Sequence, residues 1–148
     1  MPTCLQVADF FLWRAGAEGN QDAPELLTNL KLQKLLYYAQ GFHLAVHGRR
    51  LFVEDVEAWQ HGPVVPEVWR QFRHLQAQPI PTPEDYDRDA FTPEQTELLS
   101  EVYSVYGQFS AWKLRDMTHS EPPWKTTPQG GAIPDEVMAE YFRTLVVA

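Results

Sequence analysis

Apolar residues recur with helical spacing over most of the chain and alternate only in one short stretch. Cys4, Ala8, Phe11, Leu12 and Ala15 share one helical face, and Thr3 and Gln6 have capping-box spacing. This predicts a first helix running to about Ala17, ended by Gly16 and Gly19-Asn20. Thr28 or Asn29 can cap a second helix whose stripe is Leu32, Leu35, Leu36, Ala39, His43 and Val46. Its opposite side is also mostly apolar, with Tyr37, Gly41, Leu44 and Ala45, so this helix belongs at the centre of a domain. Gly41 weakens such a helix by about 1 kcal/mol relative to Ala, which implies close approach of another backbone.

After Gly48, Leu51-Phe52 and Val56-Glu57-Ala58-Trp59 read as a small hairpin or pair of edge strands. Pro63 and Pro66 suit a first helical turn, and Val65, Val68, Trp69 and Phe72 extend a third helix to about Leu75. The prolines and acids between Gln76 and Phe91 predict an exposed loop. Thr92, Pro93 and Gln95 then open a long helix with Leu98, Val102, Val105, Tyr106 and Phe109 inward. A short helix follows from Ser110 to Thr118, then an irregular segment around Trp124 and a Gly130-Gly131 turn. A last helix places Val137, Tyr141 and Leu145 on one side. The expected fold is mostly α: one domain over residues 1–148, a bundle of five to six helices with a two- to three-stranded β element between 48 and 62 or nearby.

Composition narrows the class. At 148 residues and 44% hydrophobic, the chain can bury a core without staples. The single cysteine, Cys4, has no internal partner and reads as a small buried apolar group in a reducing compartment. No apolar run of about 18 residues and no signal-peptide order is visible, so the expected location is cytoplasmic, off the membrane. A net charge of −8 opposes binding to phosphate backbones and fits a basic or weakly charged protein partner better than nucleic acid.

Candidate chemistry gathers in Trp59-Gln60-His61-Gly62-Pro63 and in Thr118-His119-Ser120-Glu121-Pro122-Pro123-Trp124. His43 and His47, spaced i, i+4, could offer two imidazoles to a metal with His61 or His119 as a third, yet no HExxH pattern or acidic ligand set accompanies them. A hydrolase would use His61 and His119 as acid and base, with Ser120, Ser110 or Cys4 as nucleophile. No oxyanion loop, nucleophile elbow or phosphate cradle flanks them. The reading favours no catalytic residues, no metal and no cofactor. Lys34 is the lone cation on the second face of the central helix, so it must snorkel or meet an acid such as Glu57 or Glu67.

Leu32-x-Lys34-Leu35, Tyr37-Tyr38-Ala39-Gln40-Gly41, Trp59-x-x-Gly62-Pro63-Val64 and Thr118-His119-x-x-x-Pro123-Trp124 occur in this order across nearly the whole chain. In them the sequence resembles the Panacea, or SocA-like, antitoxin domain of toxin–antitoxin operons and prophage neighbourhoods. The resemblance implies a non-catalytic protein that binds a cognate toxin and masks it, or hands it to an energy-dependent protease as an adaptor. Some members carry an added DNA-binding domain, for which 148 residues leave no room. The alternatives are the His61/His119 hydrolase and a prophage-encoded module acting on a host protein. If the two clusters meet the central helix, the partner-binding set is Lys34, Tyr37, His61, Pro63, His119 and Trp124, which offers rigid aromatic area with hydrogen-bonding tips.

Overall fold

Thr3 and Gln6 exchange backbone-to-side-chain hydrogen bonds of 2.9 and 3.1 Å, and the reciprocal cap starts α1, Cys4–Glu18. The computed structural model describes residues 1–18 and 26–146. Gly19-Asn20, expected to end α1, lies outside the described residues, while Gly16 sits inside the helix against Thr82. The elements that follow are α2 (Asn29–His47), β1 (Glu57–Trp59), β2 (Gly62–Val64), α3 (Pro66–Phe72), α4 (Pro93–Tyr106), α5 (Ala111–His119), α6 (Pro122–Lys125) and α7 (Asp135–Arg143). The fold is mostly α, with seven helices and one two-stranded antiparallel sheet among the described residues.

Thr28 caps α2 through Lys31 N, and Gly48 closes it at φ 71°, a left-handed conformation that glycine adopts without Cβ strain. The helix is buried nearly throughout, because α1, α3, α4, α5, α7 and the hairpin all pack on it. What approaches Gly41 is the ring of Phe142 from α7, not a backbone: an added Cβ would lie 2.2 Å from Phe142 Cε2.

The hairpin is shifted from its expected place. β1 pairs with β2 in the register Glu57 to Val64, Ala58 to Pro63 and Trp59 to Gly62, so Pro63 belongs to a strand and α3 begins only at Pro66. Pro63 has no N–H to give the ladder, and the N–H of Ala58 opposite it donates to Gly131 O at 2.9 Å on the other side of β1. Leu51 and Phe52 are buried in bends, not strands.

The acidic 76–91 stretch is less exposed than its composition suggests. Ile80 and Phe91 are buried, Ile80 N donates to Leu27 O at 2.7 Å, and Tyr86 packs edge-on to Phe10 at 5.1 Å. Apolar anchors at three points hold a loop that is polar elsewhere.

The capped start of α4 is as expected, with Pro93 in its first turn and the Thr92–Gln95 capping box complete. Its inward face is rotated, however: Gln95, Leu99, Val102 and Tyr103 are buried and Val105 is 45% exposed. Helix α7 likewise buries Met138, Ala139 and Phe142 and leaves Leu145 at 38%. At the end of α2, Val46 is 52% exposed. The segment at Trp124 is one helical turn, begun by Pro122 and Pro123. No helix among the described residues is long and apolar enough to cross a membrane.

Candidate functional site

The two polar-aromatic clusters meet beside the middle of α2. Gly62 stands at φ +112°, and a Cβ there would lie 2.7 Å from Lys34 Cε and 3.0 Å from Thr118 Oγ1, so glycine is required on both conformational and steric grounds. Lys34 Nζ donates to Pro63 O at 2.9 Å, and the side chain is fully buried. It neither snorkels nor meets the expected acids. Glu57 accepts from Trp59 Nε1 at 3.0 Å, and Glu67 accepts from the Cys4 thiol at 3.5 Å. Burial, reinforced by the Arg115 guanidinium, pulls the Lys34 amine down to about 7.

His119 stacks on Trp124 at 3.9 Å with planes 10° apart, and Trp124 Nε1 donates to Trp59 O at 2.7 Å, pinning α6 to the hairpin. His119 Nε2 is buried without a hydrogen-bond partner among the described residues. Desolvation, then Arg115 and Lys34, hold this imidazole below its ordinary value and favour the neutral ring. His61 is exposed at the hairpin tip. Its Nδ1 accepts from Arg115 Nε at 3.3 Å, and its ring stands edge-on to Trp112 at 6.0 Å. Arg115 also lies 5.0 Å over Trp112, which is 60% exposed.

Tyr37 is drawn to a different partner. Its hydroxyl donates to Glu121 Oε1 and that of Tyr38 to Glu121 Oε2, each at 2.9 Å, and Tyr141 adds a third hydrogen bond. Burial raises the Glu121 carboxyl above its ordinary value, while the three hydroxyl donors oppose the rise. Tyr106 stacks flat on Tyr38 at 3.9 Å, and burial pushes its own hydroxyl up to about 12. Of the six residues expected at a partner surface, Lys34, Tyr37 and Pro63 are buried, His119 and Trp124 are half-buried, and His61 is exposed. Trp112, Arg115 and Glu121 complete the arrangement. The sequence leaves Trp112, like the other tryptophans, divided between core and interface rim, and it gives Arg115 and Glu121 no role, because nothing marks a single cation on a short helix or an acid in a turn between helices.

The nucleophiles a hydrolase would recruit are engaged elsewhere. Ser120 Oγ donates to Met117 O at 2.9 Å, and Ser110 Oγ caps α5 through Lys113 N at 3.1 Å. Burial beside Glu54 and Glu67 pushes the Cys4 thiol far above its ordinary value, away from the nucleophilic thiolate. Both nitrogens of His43 are occupied, Nδ1 by Arg49 O at 2.7 Å and Nε2 by the Gln95 amide at 3.3 Å, so this ring has no lone pair free for a metal.

A curated relative, Antitoxin SocA of Caulobacter vibrioides (strain NA1000 / CB15N), is 47% identical over 66 residues, which is 45% of this chain and 32% of that protein. The match therefore spans about a third of that relative's length. No solved structure matches. The family profile described as "Antitoxin SocA-like, Panacea domain" matches residues 32–125, a span that holds most of α2, the hairpin and both clusters. The chain belongs to the SocA-like antitoxin family, Panacea domain.

Proposed function

We propose that this chain is a cytoplasmic, single-domain antitoxin that binds a cognate toxin and neutralises it by direct contact, without catalysis of its own. The observation that carries this is the family match over residues 32–125, together with the name of the curated relative. The assignment of side chains above is consistent with it, since the candidate hydroxyls and thiol are tied into the fold and both nitrogens of His43 are occupied. The face we assign to the toxin is the corner where His61, Trp112 and Arg115 stand exposed or half-exposed over the His119–Trp124 stack. Rigid aromatic rings with a guanidinium beside them lose little rotamer entropy on binding, as interface anchors require. Lys34, Tyr37 and Pro63 support this corner from beneath.

The test is co-expression with the toxin encoded by the adjacent reading frame. Trp112→Ala and His61→Ala should abolish growth rescue while melting near wild type, because truncating an anchor commonly costs about 2 kcal/mol, roughly thirtyfold in affinity. Leu35→Ala serves as the core control and should lose stability first. Rescue by both surface variants at wild-type level would move the toxin away from this corner. Toxin abundance in the same cells separates masking, in which it holds steady, from delivery to a protease, in which it falls.

A further inference from the structure

Three apolar residues that periodicity places on helical stripes, Val46, Val105 and Leu145, are among the exposed large hydrophobics. They converge. Together with Phe42, Leu98 and Val146 they line one groove of about 660 Å³ between the end of α2, the outer face of α4 and the residues after α7. Along one side of it runs an acidic row, Glu94, Glu97 and Glu101, all exposed at i, i+3 and i+7 of α4. No Lys or Arg is among the lining residues.

We propose that this groove is a docking site for a basic amphipathic helix of a partner protein. The stretch of α4 that forms its wall, Glu94 to Val105, is about 16 Å long at 1.5 Å per residue, which matches a ligand helix of about three turns. Such a helix would lay an i, i+3, i+4, i+7 apolar stripe on Val46, Val105 and Leu145 and set Lys or Arg against the glutamates. The charge pattern selects this occupant. A second copy of the chain, docking by a two-fold axis, would bring its own three glutamates against these three. An anionic lipid surface would meet the same repulsion. At its Val46 end the groove lies about 18 Å along α2 from Lys34, and none of the residues lining it belongs to the His61 corner. The inference therefore goes beyond the antitoxin reading and does not depend on it.

The probe is a fluorescently labelled Leu/Lys peptide of about 14 residues with that apolar spacing, against a Leu/Glu peptide of the same pattern, titrated with the full chain and read by anisotropy. The wild type should bind the Leu/Lys peptide and not the Leu/Glu one, more weakly as salt rises. Val46→Arg with Val105→Arg, and separately Glu97→Lys with Glu101→Lys, should each weaken binding about tenfold or more. The charge-reversed pair should also gain affinity for the Leu/Glu peptide. All four positions are exposed, and circular dichroism melts confirm that the variants fold. Equal binding of the two peptides, or variants that bind as wild type does, would overturn the proposal. So would a wild-type dimer in sedimentation that Val105→Arg dissociates, since the groove would then hold a second copy.

Discussion

Replacing Lys34 by Met tests whether a buried amine titrates near neutrality inside this fold. The side chain is fully buried, and among the described residues its hydrogen bond goes to an uncharged acceptor, Pro63 O. Its pKa falls from 10.5 to about 7, chiefly through desolvation. At about 1.36 kcal/mol per tenfold, charging this amine in the folded protein costs on the order of 5 kcal/mol. Between pH 7 and 10.5 the unfolded chain holds the proton and the native one does not, so wild-type stability rises with pH across that window. Below about pH 7 both states carry the proton and the contribution is flat. Met fills the space of the stem against Gly62 without the charge, at the cost of leaving Pro63 O without its donor, about 1–3 kcal/mol. The variant should therefore be at least as stable as wild type near pH 6. Its advantage should shrink by about 2.6 kcal/mol on going to pH 9, roughly 5–10 °C in melting temperature. Urea unfolding of both proteins at several pH values gives the difference curve, in which titrations common to the two cancel. A flat difference from about pH 6 to about pH 9 would refute the reasoning, because Lys34 would then keep one charge state in the folded protein throughout.

Two further substitutions probe the packing on α2. Gly41→Ala sets a methyl 2.2 Å from Phe142 Cε2, so it should destabilise by about 1–3 kcal/mol despite the better helix propensity of Ala, and Phe142→Leu should recover part of the loss in thermal melts. Strictly additive losses would mean that the two residues do not collide. For Glu121→Gln, the wild-type carboxyl has its folded pKa raised above 4.5, so the stability of its protonated form is present below that value and lost as pH rises through the folded one. Wild type should therefore lose stability relative to the Gln variant as pH rises above 4.5, and a flat difference by urea titration would show that the tyrosine donors fully offset burial.

The elements legible in the sequence were those fixed by local chemistry: the Thr3–Gln6 and Thr92–Gln95 caps, the glycine end of α2 and Pro93 in the first turn of α4. Facing directions were less legible, because in α4 and α7 an apolar stripe is wide enough for more than one rotation, and packing on α2 chose the one centred on Leu99, Tyr103 and Phe142. The hairpin register was missed because Pro63 fits either a first helical turn or a strand whose partner bonds elsewhere, and only the 130–131 turn, distant in sequence, decides between them. Within the candidate site, the meeting of the two clusters with α2 stands in the sequence only as a condition, because the order of motifs along a chain does not fix which segments touch. The Glu121 network could not, because a lone acid beside two prolines carries no sign that three tyrosines will reach it.

The residues that make α2 distinctive are spent on fastening other segments to it. Gln33 accepts from Val65 N at 2.9 Å, and Lys31 reaches Gly107 O at 2.7 Å. Gln40 clamps the Leu51–Phe52 bend with bonds of 2.6 and 2.8 Å, and Lys34, Tyr37, Tyr38 and His43 each hold a further loop or helix end. Buried polar groups of this kind cost free energy unless satisfied, so one arrangement of loops around α2 is strongly preferred over slipped alternatives. The blocks by which the sequence resembles its family thus mainly fasten the scaffold, and we propose that choice of partner rests chiefly on exposed side chains beside them. Trp112 and Arg115 at the hairpin corner, and the Glu94–Glu97–Glu101 row with Val105 at the groove, are such positions: exposed or half-exposed, and free to change without unfastening α2. Exchanging those surface residues with the equivalents of another family member should therefore transfer partner choice, whereas exchanging the α2 polar set should cost stability and leave partner choice unchanged. Rescue assays against two toxins, read beside thermal melts, would show partner choice following the α2 set if this division of roles is wrong.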